Sequence, residues 1–138
     1  MVAADADMAW LRREVGVLRR RETRRNFDMQ VVVGLTRGEE TERTGFVVRA
    51  QDLMLLDHGL RVDVLTALLE ETPGSWDTSW LVRPGVPEAH DADLAWLTAA
   101  RDAFAAHGRA LRGFFAITRY GWLDLGDGTS RFWKRLRT

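Results

Sequence analysis

The chain has 138 residues, of which 46% are hydrophobic and 29% are charged, and it contains no cysteine. These values are typical of one globular domain spanning residues 1–138, and they exclude a disordered chain, disulfide bonds, thiolate metal sites and cysteine nucleophiles. The formal net charge is zero, but residues 1–27 carry a net charge of +3, residues 28–111 of −7 and residues 112–138 of +4. The two basic ends can therefore meet an anionic partner, or the acidic middle of this or another copy.

The first predicted element is a helix over residues 5–24. Its apolar side chains recur at spacings of three and four residues, which makes one narrow stripe. The residues of this stripe are Met8, Leu11, Val15 and Leu18. We expect residues 1–25 to act as an interaction arm whose stripe forms an interface with a protein partner or a second copy. The end of the helix is basic, which the helix dipole favours by about 0.3–1 kcal/mol for each exposed cation.

Two predicted strands follow, because apolar residues recur at every second position. The clearer strand covers residues 27–35, and the next one resumes at Phe46 after a charged loop over residues 37–43. Together they predict a β-hairpin with a long, acidic tip.

Helical and strand patterns then alternate as far as residue 120. The predicted elements are helices over residues 52–57 and 61–71 with a break near Gly59, a strand over residues 75–83, a helix over residues 91–107 and a strand over residues 111–120. Asp63 and Asp91 are the candidate N-caps of the second and third of these helices, and Gly108 suits the position after the third. The strand over residues 111–120 is apolar on both sides, which is typical of a central strand, and the preceding helix is long enough for a parallel crossover.

A final hairpin is predicted from residues 122–125 and 130–136, which flank the turn sequence Gly126-Asp127-Gly128-Thr129. The complete order of elements predicts an α+β fold. We expect a two-layer sandwich in which one mixed, mostly antiparallel sheet of about five strands carries helices on one face, with the N-terminal amphipathic helix added to it.

The last strand carries a candidate nucleic-acid surface. Side chains alternate across a strand, so Trp133 shares one face with Arg131, Arg135 and Arg137. In that interpretation Arg side chains bind phosphates and the Trp ring stacks on a base. The basic end of the first helix extends the same surface if it lies nearby, through Arg19, Arg20, Arg24 and Arg25. The alternative is an edge strand whose charges prevent edge-to-edge pairing.

Tryptophan is frequent, with six residues in the chain. Trp is enriched in interface hot spots and in ligand pockets, although many buried Trp residues belong to a core. Trp76, Trp80 and Trp122 are therefore candidates for an aromatic pocket or a dimer interface.

Catalytic signatures are missing from the sequence. His90, Asp91 and Asp93 form the only cluster with metal-like chemistry, but acidic residues at a helix N-terminus account for both carboxylates. Asp57 beside His58 is a candidate acid–base pair. No Ser stands in a nucleophile-elbow motif, and no glycine-rich phosphate loop precedes a helix. We predict no catalytic residue, no metal and no cofactor.

These observations favour a non-catalytic interaction or oligomerisation module, a homodimer or a component of a heteromeric complex. A nucleic-acid-binding protein is the alternative, and a small enzyme or ligand binder with an aromatic pocket is the third hypothesis. No segment reads as a membrane span or a signal peptide, so we expect a cytoplasmic protein without a membrane partner. The use of 19 Arg and one Lys suggests a GC-rich bacterial genome.

Overall fold

A computed structural model describes residues 8–134 as one sheet with helices on both sides. In chain order the elements are helix α1 (Ala9–Arg21), strands β1 (Met29–Arg37) and β2 (Glu40–Val48), 3-10 helix η1 (Ala50–Leu55), helix α2 (His58–Glu70), strand β3 (Thr78–Val82), helix α3 (Asp91–Ala106), and strands β4 (Gly113–Thr118), β5 (Gly121–Asp124) and β6 (Ser130–Phe132). Within the described residues, no helix combines the length and the apolar character that crossing a membrane requires.

The sheet has six strands in the order β2-β1-β3-β4-β5-β6. Strands β3 and β4 are parallel and are joined through α3, whereas every other neighbouring pair is antiparallel. The predicted α+β class, with one mixed and mostly antiparallel sheet, is confirmed, and so is the parallel crossover. The structure has one strand more than the expected five.

Helices cover both faces of the sheet, because its central strands are apolar on both sides. Val31 and Val33 of β1 pack in the cluster that includes α2 and α3. Val32, which points the other way, packs in the cluster that includes α1. The prediction placed helices on one face of a two-layer sandwich, and the structure instead has three layers, with α1 alone on the second face.

The apolar stripe of α1 is part of the core of this same chain. Leu11, Val15 and Leu18 are buried against the sheet, and Met8 packs against the same cluster. The expected interface of Met8, Leu11, Val15 and Leu18 is therefore corrected, because these side chains already have intramolecular partners. The hydrophobic effect that was expected to drive association instead fixes α1 to the sheet.

Polar contacts also fix α1 in this position. The carboxylate of Glu14, itself buried, forms a two-pronged ion pair with Arg43 of β2, with 2.7 Å between Oε2 and Nη2. Arg13 donates a hydrogen bond of 2.9 Å to the carbonyl oxygen of Gly38. The helix is thus tied to the β1–β2 hairpin, and it does not have the contacts of a free arm.

The β1–β2 hairpin is tighter than predicted. Arg37 pairs with Glu40, so only Gly38 and Glu39 form the turn, and Gly38 has a positive φ of 57°. Such short turns require left-handed backbone, which glycine adopts without a steric cost. The charges that were assigned to a loop lie mostly in β2, an edge strand, where they oppose pairing with a foreign strand.

Helix α2 begins earlier than predicted. Asp57 is its N-cap, and its carboxylate accepts a hydrogen bond of 2.8 Å from the amide of Leu60. The predicted break at Gly59 is therefore absent, and Asp63 lies within the helix and does not cap it. An Asp cap satisfies an amide that the first turn of any helix leaves without a backbone partner.

A buried ion pair fixes the start of α3. Both oxygens of Asp93 accept hydrogen bonds of 2.8 Å from Arg83, and Oδ2 also accepts one of 2.9 Å from the amide of His90. His90, not Asp91 as predicted, is the N-cap of α3. The carboxylate of Asp93 thus has a structural role, and among the described residues no cluster of three metal-ligating side chains exists. Gly108 follows α3 with a φ of 62°, as its position predicted.

Candidate functional site

The three candidate pocket tryptophans do not meet. Trp80 and Trp122 are buried beneath α1, where Trp80 lies 4.9 Å from the ring of Trp10. Trp76 precedes β3 and packs against the cluster on the opposite face. The predicted aromatic pocket of Trp76, Trp80 and Trp122 is therefore corrected, because the sheet itself separates its members.

The candidate acid–base pair of Asp57 and His58 is divided in the same way. Asp57 caps α2, whereas Nε2 of His58 lies 2.8 Å from Oδ2 of Asp102 on α3. Both partners of this second pair are exposed. Water screens such a pair, so it has neither the desolvation nor the cavity that a catalytic dyad uses.

The two basic ends of the chain are adjacent in space. Helix α1 packs against β4 and β5, and its Arg12 lies over the indole of Trp133, 5.6 Å from the ring centroid. Arg131 of β6 lies at the same distance from that ring. Two guanidinium groups from opposite ends of the chain thus share one half-buried indole, a cation–π arrangement.

A second aromatic pair lies on the other side of β6. Arg131 is directly opposite Trp122 in the ladder and so shares its face, whereas Phe132 is opposite Gly121 and faces the other way. The ring of Phe132 is 53% exposed and is stacked on that of Tyr120, with 6.3 Å between their centroids. Arg119 lies over the Tyr120 ring at 6.0 Å. We did not predict these residues, because the side of β6 that holds Phe132 carries fewer charges.

The remaining basic candidates differ in their surroundings. Arg24 forms a two-pronged ion pair of 2.8 and 2.9 Å with Glu22. This hydrogen-bonded partner lowers the pKa of Glu22 to about 2, so the charge of Arg24 is already balanced near neutral pH. Three other candidates are exposed or half-buried at the end of α1: Arg19, Arg20 and Arg25. Two lie outside the described residues: Arg135 and Arg137.

The opposite edge of the sheet carries a contiguous exposed apolar surface. A groove of about 510 Å³ runs between β2, η1 and α2. Its apolar walls are Phe46, Val47, Leu55, Leu56, Leu60 and Val64. Beside it, η1 exposes Leu53 and Met54, the latter to 94%. Single exposed apolar residues are ordinary, but a contiguous patch marks an interaction site. We call the groove together with η1 the apolar groove.

A pair of smaller cavities adjoins the start of β4. Their volumes are about 320 and 260 Å³, and both are lined by Arg112, Gly113 and Asp124. Burial raises the pKa of Asp124, although its Oδ1 accepts a hydrogen bond of 2.8 Å from the amide of Gly126. In the same turn, a hydrogen bond from the amide of Thr129 lowers the pKa of Asp127.

These opposite shifts predict opposite effects of two neighbouring substitutions. The raised pKa of Asp124 means that its protonation favours the folded state, and this stabilisation is lost as pH rises through the folded-state pKa. We therefore expect Asp124→Asn, which keeps the acceptor oxygen, to raise the free energy of unfolding at pH 7, with a gain that vanishes toward pH ~4, the ordinary pKa of the carboxyl group. Asp127→Asn should lower it at pH 7. Urea unfolding across this pH range measures both, and equal signs for the two variants at pH 7 would contradict the assignment.

Comparison with known proteins gives no relative from which to transfer a function. No family model matches the chain, and no curated protein or solved structure matches it either.

Proposed function

We propose that this protein is a non-catalytic protein–protein interaction module that forms a homodimer through the apolar groove. The observation that carries the proposal is a protruding apolar segment directly beside a groove of the same chemistry. Met54 and Leu55 of η1 stand exposed at the rim, and the groove between β2 and α2 is open to solvent. Leaving this surface in water is unfavourable by about 25 cal/mol for each Å² of apolar area.

A two-fold dimer needs one patch that complements itself, because each copy contributes the same residues. A protrusion and an adjacent groove meet this requirement, since a two-fold axis places η1 of each copy in the groove of the other. Met54 suits this role because its unbranched side chain adapts to an irregular surface. A standard interface buries about 800 Å² on each partner, roughly a tenth of the 8237 Å² surface of this chain.

Charges at the rim support side-chain docking in preference to strand pairing. Arg49, Asp52 and Asp63 line the groove, so a two-fold contact can bring Arg49 of one copy to a carboxylate of the other. Such pairs set specificity and association rate more than affinity. The exposed Glu40 and Glu42 lie along β2, and charges on an edge strand oppose extension of the sheet into a second copy.

The test is the mass of the protein in solution. Sedimentation equilibrium over a wide range of concentrations should give a dimer for the wild type. Met54→Glu and Leu55→Glu should weaken the dimer at least tenfold, because burial of such a side chain contributes about 1.5–3 kcal/mol and a carboxylate adds a desolvation cost.

Leu94→Glu is the matched control, because Leu94 is 47% exposed on α3 and does not line the groove. It should leave the dimer mass unchanged, and circular dichroism should show that all the variants are folded. A wild type that stays monomeric at the highest concentration would overturn the homodimer. Equal dissociation by the α3 control would show that the contact lies elsewhere.

A further inference from the structure

We propose that the opposite edge of the sheet binds single-stranded nucleic acid. The surface, here the basic edge, consists of Arg12 of α1, Arg119 and Tyr120 of the β4–β5 turn, and Arg131, Phe132 and Lys134 at the end of the described chain. This inference does not depend on the proposed homodimer, because β6 and β2 are the two outermost strands of the sheet.

The cations of the basic edge are not neutralised by carboxylates. Over residues 8–134, the ion pairs of this protein involve Arg24, Arg43, Arg83 and His58, and none involves a cation of the basic edge. The edge therefore presents a net positive charge in a chain whose total charge is zero. Guanidinium groups bind phosphate through paired hydrogen bonds, and phosphate contacts supply most of the affinity in nucleic-acid binding.

Aromatic rings hold these cations in place without removing their charge. Trp133 lies 5.6 Å from both Arg12 and Arg131, and Tyr120 lies 6.0 Å from Arg119. A guanidinium that rests on a ring keeps its hydrogen-bond donors available at its rim. The Nε atom of Arg119 is buried without any acceptor, so this arginine has donor capacity that the described chain does not use.

The exposed aromatic pair decides which nucleic acid fits. Phe132 and Tyr120 are stacked nearly parallel, with 24° between their planes, and Phe132 presents its ring to solvent. Such a ring can extend its stack with an unpaired base, whereas the bases of a duplex are already stacked on each other. An acidic peptide would use the cations but would gain nothing from the rings. The combination therefore favours a single-stranded nucleic acid.

The test is fluorescence anisotropy with labelled oligo-dT, oligo-U and a duplex of the same length. Both single strands should bind more tightly than the duplex, and the logarithm of the affinity should fall with that of salt concentration with a slope of about −3, because four cations contribute about −0.7 each. The difference between oligo-dT and oligo-U then reports whether DNA or RNA is preferred.

Two kinds of variant separate the charges from the rings. Arg119→Glu and Arg131→Glu should each weaken binding to every strand at least tenfold and should reduce the salt slope. Phe132→Ala should weaken it by about 5- to 150-fold without changing that slope, because it removes stacking alone. Arg37→Glu, at the exposed tip of the β1–β2 hairpin, and Leu94→Ala on α3 are the charge and apolar controls and should have no effect.

Several outcomes would overturn the proposal. The absence of binding at low salt would do so, as would equal affinity for the duplex. Unchanged binding by Phe132→Ala, together with full competition by polyglutamate, would show a general anion surface that has no preference for bases. Thermal unfolding of each variant shows whether a loss of binding reflects a loss of the fold.

Discussion

Replacing Asp93 with alanine is expected to lower the free energy of unfolding by about 3–5 kcal/mol, because it leaves the guanidinium of Arg83 buried without a counter-charge. Arg83 is 5% exposed and Asp93 is 1% exposed, so water does not screen their interaction. Their two hydrogen bonds of 2.8 Å have the paired geometry that guanidinium and carboxylate groups favour. The loss of one partner therefore costs much more than a surface ion pair contributes.

Arg83 cannot easily leave its site when Asp93 is removed. It also donates hydrogen bonds to the carbonyl oxygens of Pro84, Val86 and Glu88, at 2.8 to 3.2 Å. These bonds fix the loop between β3 and α3, and they hold the guanidinium beneath that loop. Moving the guanidinium to solvent would break all three, so the charge is expected to stay buried at a high cost.

Urea unfolding followed by tryptophan fluorescence measures this effect. Asp91→Ala is the matched control, because Asp91 is exposed two residues earlier in the same helical turn and should cost only about 0.3–1 kcal/mol. The double variant Arg83→Met/Asp93→Leu should recover part of the loss, since apolar residues can replace a buried pair. A loss below about 1 kcal/mol for Asp93→Ala, the average for any substitution, would show that the pair is not a structural centre.

The class of the fold could be predicted because it depends on local periodicity. Alternating apolar residues and the long helix before β4 were sufficient for the mixed sheet and its parallel crossover. The number of layers depends on which faces are covered, and the signal for it was present in β1. Val31, Val32 and Val33 are three consecutive apolar residues, which indicates burial on both faces, but we applied that rule only to β4.

The functional surfaces were less accessible from sequence, because each combines distant segments. The sorted charges predicted two basic ends, but only the packing of α1 on β4 and β5 brings Arg12 to Trp133. Side-chain alternation separated Phe132 from the arginines of β6, although both sides of an edge strand can contact one ligand. The apolar run at residues 53–56 indicated burial, whereas η1 turns Met54 and Leu55 outward.

The status of α1 can be tested by one substitution with a large effect. We expect Leu11→Ala to lower the free energy of unfolding by about 2–5 kcal/mol, because Leu11 is completely buried between α1 and the sheet and its truncation leaves a cavity. An interaction arm predicts a different result, namely unchanged stability and a lower mass in solution. Val17→Ala on the exposed side of the same helix is the control and should change stability by no more than about 0.5 kcal/mol.

Two probes show whether α1 unfolds with the rest of the domain. Circular dichroism reports all the helices, and tryptophan fluorescence reports mainly the cluster beneath α1, which contains Trp10, Trp80 and Trp122. Coincident urea transitions in Leu11→Ala would place α1 in the cooperative core, whereas an earlier fluorescence transition would show that α1 detaches first. Because α1 holds Arg12 beside Trp133, detachment would also weaken oligo-dT binding at urea concentrations where the sheet is still folded. Stability and nucleic-acid binding should therefore be lost together in this variant, whereas Val17→Ala should retain both.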